Sequence, residues 1–195
     1  MDTSSRGVAM VDVIVAAALI VSILAIAVPA LLAARGRDAV RLAARQVASR
    51  IQLLRLEALK RNAAVAWRFD PDDIGRIDTI VDGDGDGVGQ ADFDSGTDPL
   101  LERSFRLADL FADVTFAIAR DVSTPDGTGT LVAGSDPIRF GSSNFLTFGP
   151  TGSTSSGTLY LAGREGPQVC VRVFGATGRV RVLWFDAVNG TWRHD

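Results

Sequence analysis

One cysteine and one histidine in 195 residues leave little material for metal or redox chemistry. Cys170 has no partner, so no disulfide forms within the chain. Its surroundings, Val169–Phe174, read as a strand in which a thiol behaves as a small buried hydrophobe. His194 stands beside the C-terminus and reads as a solvated tail residue. Serines are plentiful, yet none sits in a G-x-S-x-G turn with suitable partners. The sequence has no Cys/His metal cluster, no phosphate-cradling glycine loop and no fixed-period repeat. The chain is therefore expected not to be an enzyme and to require no cofactor.

What the sequence holds in excess is apolar residues at its start. Val8 opens a run to Ala34 whose only charge is Asp12. About 27 residues at ~1.5 Å of helical rise span ~40 Å, enough for the ~30 Å hydrocarbon core of a bilayer. An unpaired carboxylate in mid-membrane costs roughly 2.5–3.5 kcal/mol, so Asp12 needs a partner. A conventional signal peptide has a shorter apolar core, although Ala25-Ile26-Ala27 or Leu32-Ala33-Ala34 would serve as its cleavage site. An uncleaved single-pass anchor is the other competing reading.

The polar leader ending in Gly7, followed by Val8-Ala9-Met10-Val11-Asp12 and the apolar run, resembles the prepilin processing motif of type IV pilins and type II secretion pseudopilins. The resemblance implies cleavage between Gly7 and Val8 by a prepilin peptidase, methylation of the new amine, and an assembly role for Asp12, fifth in the mature chain. Asp12 stands where that family usually has Glu, and Val8 where Phe or Met is commoner. Pro29 falls where the family carries a helix-kinking proline. Arg35, Arg37, Arg41, Arg45 and Arg50 follow the span and only Arg6 precedes it, so charge bias alone would keep the C-terminal side in the cytoplasm. The resemblance implies the opposite: a single pass through the inner membrane with a periplasmic head.

Past Gly36, Val40, Ala44, Val47, Ile51, Leu54 and Ala58 recur at alternating spacings of four and three, an apolar stripe on one helical face. One stem helix is predicted to about Arg61, with a bend or local melting between Pro29 and Gly36. Ala63–Phe69, Arg76–Val81, Ser104–Leu107, Val114–Arg120, Ile138–Phe140, Phe145–Phe148, Thr158–Ala162, Val169–Phe174, Arg179–Phe185 and Thr191–Arg193 read as strands. Asp82–Pro99 reads as a loop, Asp109–Ala112 as a turn and Thr151–Gly157 as a flexible loop tip. The fold class is α+β: pilin-like, a long transmembrane stem helix packed on an antiparallel β-sheet head. The expected division is 1–7 leader, 8–62 stem (8–34 in the membrane) and 63–195 head. Residues 1–62 hold nine Arg/Lys against four Asp/Glu, a balance of +5; residues 63–195 hold eleven against nineteen, a balance of −8. A basic stem suits a position near anionic lipid, and an acidic head does not favour general nucleic-acid binding.

Two groups in the head carry candidate chemistry. Asp82-Gly83-Asp84-Gly85-Asp86-Gly87-Val88 copies the first half of an EF-hand loop, with carboxylates at positions one, three and five and then the turn glycine. Position twelve is Phe93 rather than Glu, and no flanking helices are expected. Calcium is the candidate ion, held by Asp82, Asp84, Asp86, the Val88 carbonyl and Asp92; a solvated acidic turn is the alternative. Arg179 and Arg181 alternate on one strand face. A tight turn through Ala176-Thr177 would set Arg172 across from Arg181, whereas a type I turn with Gly178 as a bulge would move Arg172 to the other face.

Phe145-Leu146-Thr147-Phe148-Gly149-Pro150-Thr151-Gly152, Gly157-Thr158-Leu159-Tyr160-Leu161 and Thr177-Gly178-Arg179-Val180-Arg181 look like the β head shared by the GspH and FimT minor subunits. The resemblance implies a minor pseudopilin of a type II secretion pseudopilus, with other pseudopilins or pilins, prepilin peptidase and inner-membrane lipid as partners. One alternative is a FimT-like type IV minor pilin that binds DNA for uptake, because Gly178-Arg179-Val180-Arg181 matches the arginine motif of its DNA-binding members. The other is a membrane-anchored calcium-binding module.

Overall fold

The computed structural model describes residues 4–73, 75–141, 143, 145–164 and 166–194, with side chains from Met10 onward except that of Ala33. Helix α1 (Ser4–Arg61) runs unbroken past Pro29 and Gly36, so the predicted local melting is not found. Pro29 removes one N–H from the ladder, and the turns on either side hold the helix. The predicted stripe is buried: Val40, Ala44, Val47, Ile51, Leu54 and Ala58 are at most 4 % exposed, and Ala43 joins them. By contrast, the large apolar side chains from Met10 to Leu32 are 48–76 % exposed. By length and composition this helix can cross a membrane. It ends where Asn62 takes a left-handed conformation (φ 53°), a usual helix stop. Glu57 bonds Lys60 and Arg61 in the last turn, at 3.5 and 3.1 Å.

The head continues through β1 (Val65–Phe69), β2 (Arg76–Val81), α2 (Gln90–Ser95), β3 (Leu100–Arg106), α3 (Leu107–Leu110) and β4 (Val114–Phe116). It then runs through β5 (Val122–Ser123), β6 (Thr130–Leu131), β7 (Ile138–Arg139), β8 (Phe145–Phe148), β9 (Gly157–Gly163), β10 (Gln168–Phe174), β11 (Arg179–Asp186) and β12 (Thr191–His194). One antiparallel sheet has the order β3-β2-β1-β8 and the other β12-β11-β10-β9-β4, with β7 also on β9; β5 and β6 pair separately.

Period-two alternation explains how both sheets close on the stem. Val65, Trp67 and Phe69 of β1, Leu159 and Leu161 of β9, and Val169, Val171 and Val173 of β10 share one core with the stripe of α1. The opposite faces bury smaller clusters. Ala66, Ile80 and Phe145 lie under Val88 and Phe93, while Tyr160, Cys170 and Leu183 lie under Ile118, Val122 and Leu131. Cys170 is fully buried, and burial pushes its thiol pKa upward.

Several expectations give way to tertiary contacts. The 82–99 segment contains α2, and α3 replaces the turn expected at 109–112. β4 stops at Phe116 because the buried Gln168 amide takes over the bonding of the next residues: Ala119 N–H donates to its Oε1 at 2.9 Å, and its Nε2 donates to Ala117 C=O at 2.8 Å. β5 and β6 are two residues each, too short to show an alternation. His194 is solvent-exposed as expected, but it lies in a strand, paired with Leu183, rather than in a tail. The loop at 151–157 is closed by Gly149 N–H donating to Ser153 C=O at 2.8 Å and by a bridge from Thr154 to Phe148.

Candidate functional site

The acidic loop is built by its own carboxylates. Asp82 Oδ1 accepts the Gly85 N–H at 2.7 Å and its Oδ2 accepts the Gly87 N–H at 3.2 Å. Asp98, 1 % exposed, accepts the Gly83 and Gly89 N–H groups, both at 3.1 Å, and so clamps the two ends of the loop. Gly85 and Gly87 take φ of 91° and 114°, where a side chain would be strained. Gly83 packs so closely on the Thr97 carbonyl that a Cβ would overlap it.

The result brings carboxylate oxygens of Asp82, Asp84 and Asp86 within 4.8 Å of one another. Crowding raises the Asp86 carboxyl pKa, first through its hydrogen bond with Asp84 and then through the charges of Asp84, Asp92 and Asp82. Hard oxygens at this separation suit a hard cation. Asp92, in the first turn of α2, acts on Asp86 electrostatically but is not part of the group of three. The Val88 side chain packs with Phe93 over Ala66, Ile80 and Phe145.

A helix thus follows the loop where none was expected, and it is pinned to the sheet. Arg68 donates to Gln90 Oε1 at 2.9 Å, lies 4.7 Å from the Phe93 ring centroid and bonds the fully buried Asp78 at 2.9 Å. Asp78 also receives Arg76 at 3.1 Å. Sequence reasoning missed Asp78 and Asp98. A carboxylate in a strand or a polar run carries no mark of burial until the chain closes around it.

In the C-terminal hairpin, Arg172 faces Arg181 and Phe174 faces Arg179. This is the direct register, although Gly178 takes φ 63° as a bulge glycine would. The Arg172 and Arg181 guanidiniums lie 5.2 and 5.3 Å from the Phe174 ring centroid. Arg172 also meets Asp126 at 3.6 Å. Hydrogen bonds from Thr124 and Thr128, together with Arg172, hold the Asp126 carboxyl well below the usual range. Among the described residues β12 pairs with β11 only from Leu183 to Asp186, leaving Arg179–Val182 on an open edge. There Arg179 and Arg181 line a cavity of about 450 Å³ with Arg45 and His194. The stem's Arg55 reaches beneath this turn, against Gly178, with its Nε buried and unbonded.

Asp12 lies on the exposed apolar part of α1. Of the expected leader, residues 1–3 lie outside the described residues. Gly7 and Val8 are helical in backbone, and the Val8 side chain is also outside them.

The model of one protein family, described as type II transport protein GspH, matches residues 43–177, more than half of the chain. No curated protein and no solved structure matches. The match covers most of the buried part of the stem and the strands through β10, and stops before β11. The chain belongs to the GspH family of type II transport proteins.

Proposed function

We propose that the protein is a minor subunit of a type II secretion pseudopilus, cut between Gly7 and Val8 by a prepilin peptidase, methylated at the new amine and anchored in the inner membrane with a periplasmic head. The family is structural rather than enzymatic. The observation that carries the reading is the exposed apolar stem. Its membrane-length part is uncovered, and Leu42, Leu53, Leu56 and Leu59, 43–59 % exposed, extend apolar surface along the face opposite the buried stripe. Such surface needs lipid below and neighbouring stems above. Asp12 pairs with the Val8 amine of a neighbour, which offsets the cost of a carboxylate in the membrane.

Intact-mass analysis of the membrane-extracted chain tests the reading, with loss of residues 1–7 as the expected result. Cleavage after Ala27 or Ala34 would refute it. Asp12→Ala is expected to insert and fold normally but fail to enter filaments.

Calcium in the acidic loop is part of the same reading, supported by the converging oxygens of Asp82, Asp84 and Asp86 and, in the periplasm, by access to extracellular cation. A second reading, DNA contact by a FimT-like pilin, is favoured by the open basic edge at Arg179 and Arg181. Arginine forks suit phosphate oxygens, but few cations facing a head of net −8 predict weak, salt-sensitive binding. A low-salt gel-shift with Arg179→Ala/Arg181→Ala separates the two: binding lost in the variant supports DNA contact, and no binding leaves the pseudopilin reading standing.

A further inference from the structure

A second basic cavity, of about 410 Å³, lies between α1 and the β11–β12 turn, one helical turn along α1 from the first. Arg37 and Arg41 of the stem and Arg120 of the head line it, with Trp184 as part of its wall. The Arg41 guanidinium lies 5.0 Å from the Trp184 ring centroid, which fixes the cation without neutralising it. Arg120 is half-buried, and its Nε is fully buried with no hydrogen-bond partner. Neither Arg41 nor Arg120 has a carboxylate partner among the described residues. Asp186 is the one carboxylate in the described wall, and it is already engaged by Arg193 at 2.8 Å and by Asn189 at 2.7 Å. A site with cationic forks, an unbonded buried donor and an aromatic wall calls for a phosphate-like anion.

Its position identifies which anion. The apolar run ends at Ala34, so at ~1.5 Å per residue Arg37 stands ~5 Å and Arg41 ~10 Å beyond the hydrocarbon, the depth of the headgroup layer and its outer edge. Tryptophan favours that zone, and arginine places its apolar stem against lipid while its guanidinium meets anionic headgroups. The neighbouring turn ends in Val188, 93 % exposed, an apolar tip beside the basic cavity. Lipid makes use of both surfaces at once, whereas a free anion in solution uses only the cavity.

We propose that this cavity binds the phosphodiester headgroup of an anionic phospholipid and so docks the acidic head at a fixed angle on the membrane before assembly. The proposal rests on the reading of α1 as a membrane span, and the experiment separates the two. The full chain is reconstituted in nanodiscs of phosphatidylcholine containing phosphatidylglycerol. Insertion is scored by protease protection, and bound lipid by native mass spectrometry after release. Selective retention of phosphatidylglycerol is expected, falling at least about tenfold in Arg41→Gln/Arg120→Gln with insertion and circular dichroism unchanged.

Equal retention of both lipids, or unchanged retention in the variant, overturns the site while leaving the span intact. Displacement of the lipid by inorganic phosphate at matched charge overturns the lipid assignment in favour of a soluble anion. A chain that does not insert overturns the span and the site together. Should the double variant misfold, Trp184→Leu, which keeps the wall apolar but removes the ring that holds Arg41, is expected to weaken retention, and retention equal to wild type counts against the site.

Discussion

Gln168 occupies the first position of β10 with 3 % of its surface exposed, and its amide serves three backbone groups. Besides Ala119 and Ala117, its Nε2 donates to the Leu161 carbonyl at 3.0 Å. Gln168→Leu keeps the bulk but leaves those groups without their partner, the Leu161 carbonyl in a fully buried position and the Ala117 and Ala119 groups in partly buried ones. The expected loss is about 2–4 kcal/mol, read by chemical denaturation of the full chain; a change below ~0.5 kcal/mol, the size of an ordinary surface substitution, would contradict the latch. Asp78 is the ionic counterpart. It is fully buried between Arg68, whose side chain is 11 % exposed, and the more open Arg76. Asp78→Ala strands the Arg68 charge and is expected to cost about 3–5 kcal/mol. In the sequence both residues read as ordinary polar positions of a strand, since nothing local says that the solvent side is closed.

At the scale of the element, the acidic loop and α2 act as one unit. Asp98 clamps the loop, while Phe93 and Arg68 dock the helix. This unit should respond to calcium as a whole: melting temperature rises with calcium, by mass action on the folded state, and Asp84→Asn abolishes the rise. Identical melting with calcium and with chelator would leave the loop a solvated turn.

The pH dependence has a definite sign. Asp86 binds its proton more tightly folded than unfolded, so its contribution to stability is fully present below the unfolded carboxylate pKa. That contribution is lost as pH rises through the raised folded value. Calcium replaces the proton, so affinity should fall as pH drops through that same value. In Asp84→Asn, which removes the largest cause of the shift, the Asp86 carboxyl should titrate nearer to an ordinary aspartate by NMR. Asp126 has the opposite sign: its contribution is present above the unfolded carboxylate pKa and is lost only on strong acidification.

On the scale of the whole molecule, the head covers one face of a helix and leaves the rest to other surfaces. Leu53 and Leu56 are each 59 % exposed and lie outside the buried core, Leu53 at the rim of a groove with Trp67 and Phe105. Leu53→Glu/Leu56→Glu should shift head stability by no more than ~0.5 kcal/mol per site and still block co-assembly, measured by cross-linking to neighbouring subunits in membranes. Unimpaired co-assembly would show that stems do not meet along this face. The charge asymmetry has the same logic: a stem with a balance of +5 and a head with a balance of −8 favour one orientation at a membrane surface.

The stem and most strands could be read from the sequence because their causes are local and periodic. The stripe from Val40 to Ala58 has the period of a helix, and Arg76–Val81 and Phe145–Phe148 form strands with the bounds that composition predicts. The three carboxylates of the acidic loop were legible for the same reason, being neighbours along the chain. What the sequence could not determine depends on groups far apart in it. The arginine hairpin's register was open because one backbone turn serves two pairings, and the packing of β10 and β11 on the stem settles Arg172 opposite Arg181. Asp98 reaches back fifteen residues to Gly83, and Gln168 forty-nine to Ala119. Arg41, Arg120 and Trp184 meet only once the stem lies against the sheet. Local free energies select elements, but burial and unpaired polar groups are properties of the closed chain, so only the tertiary structure decides which of its polar residues become structural and which remain open to a ligand.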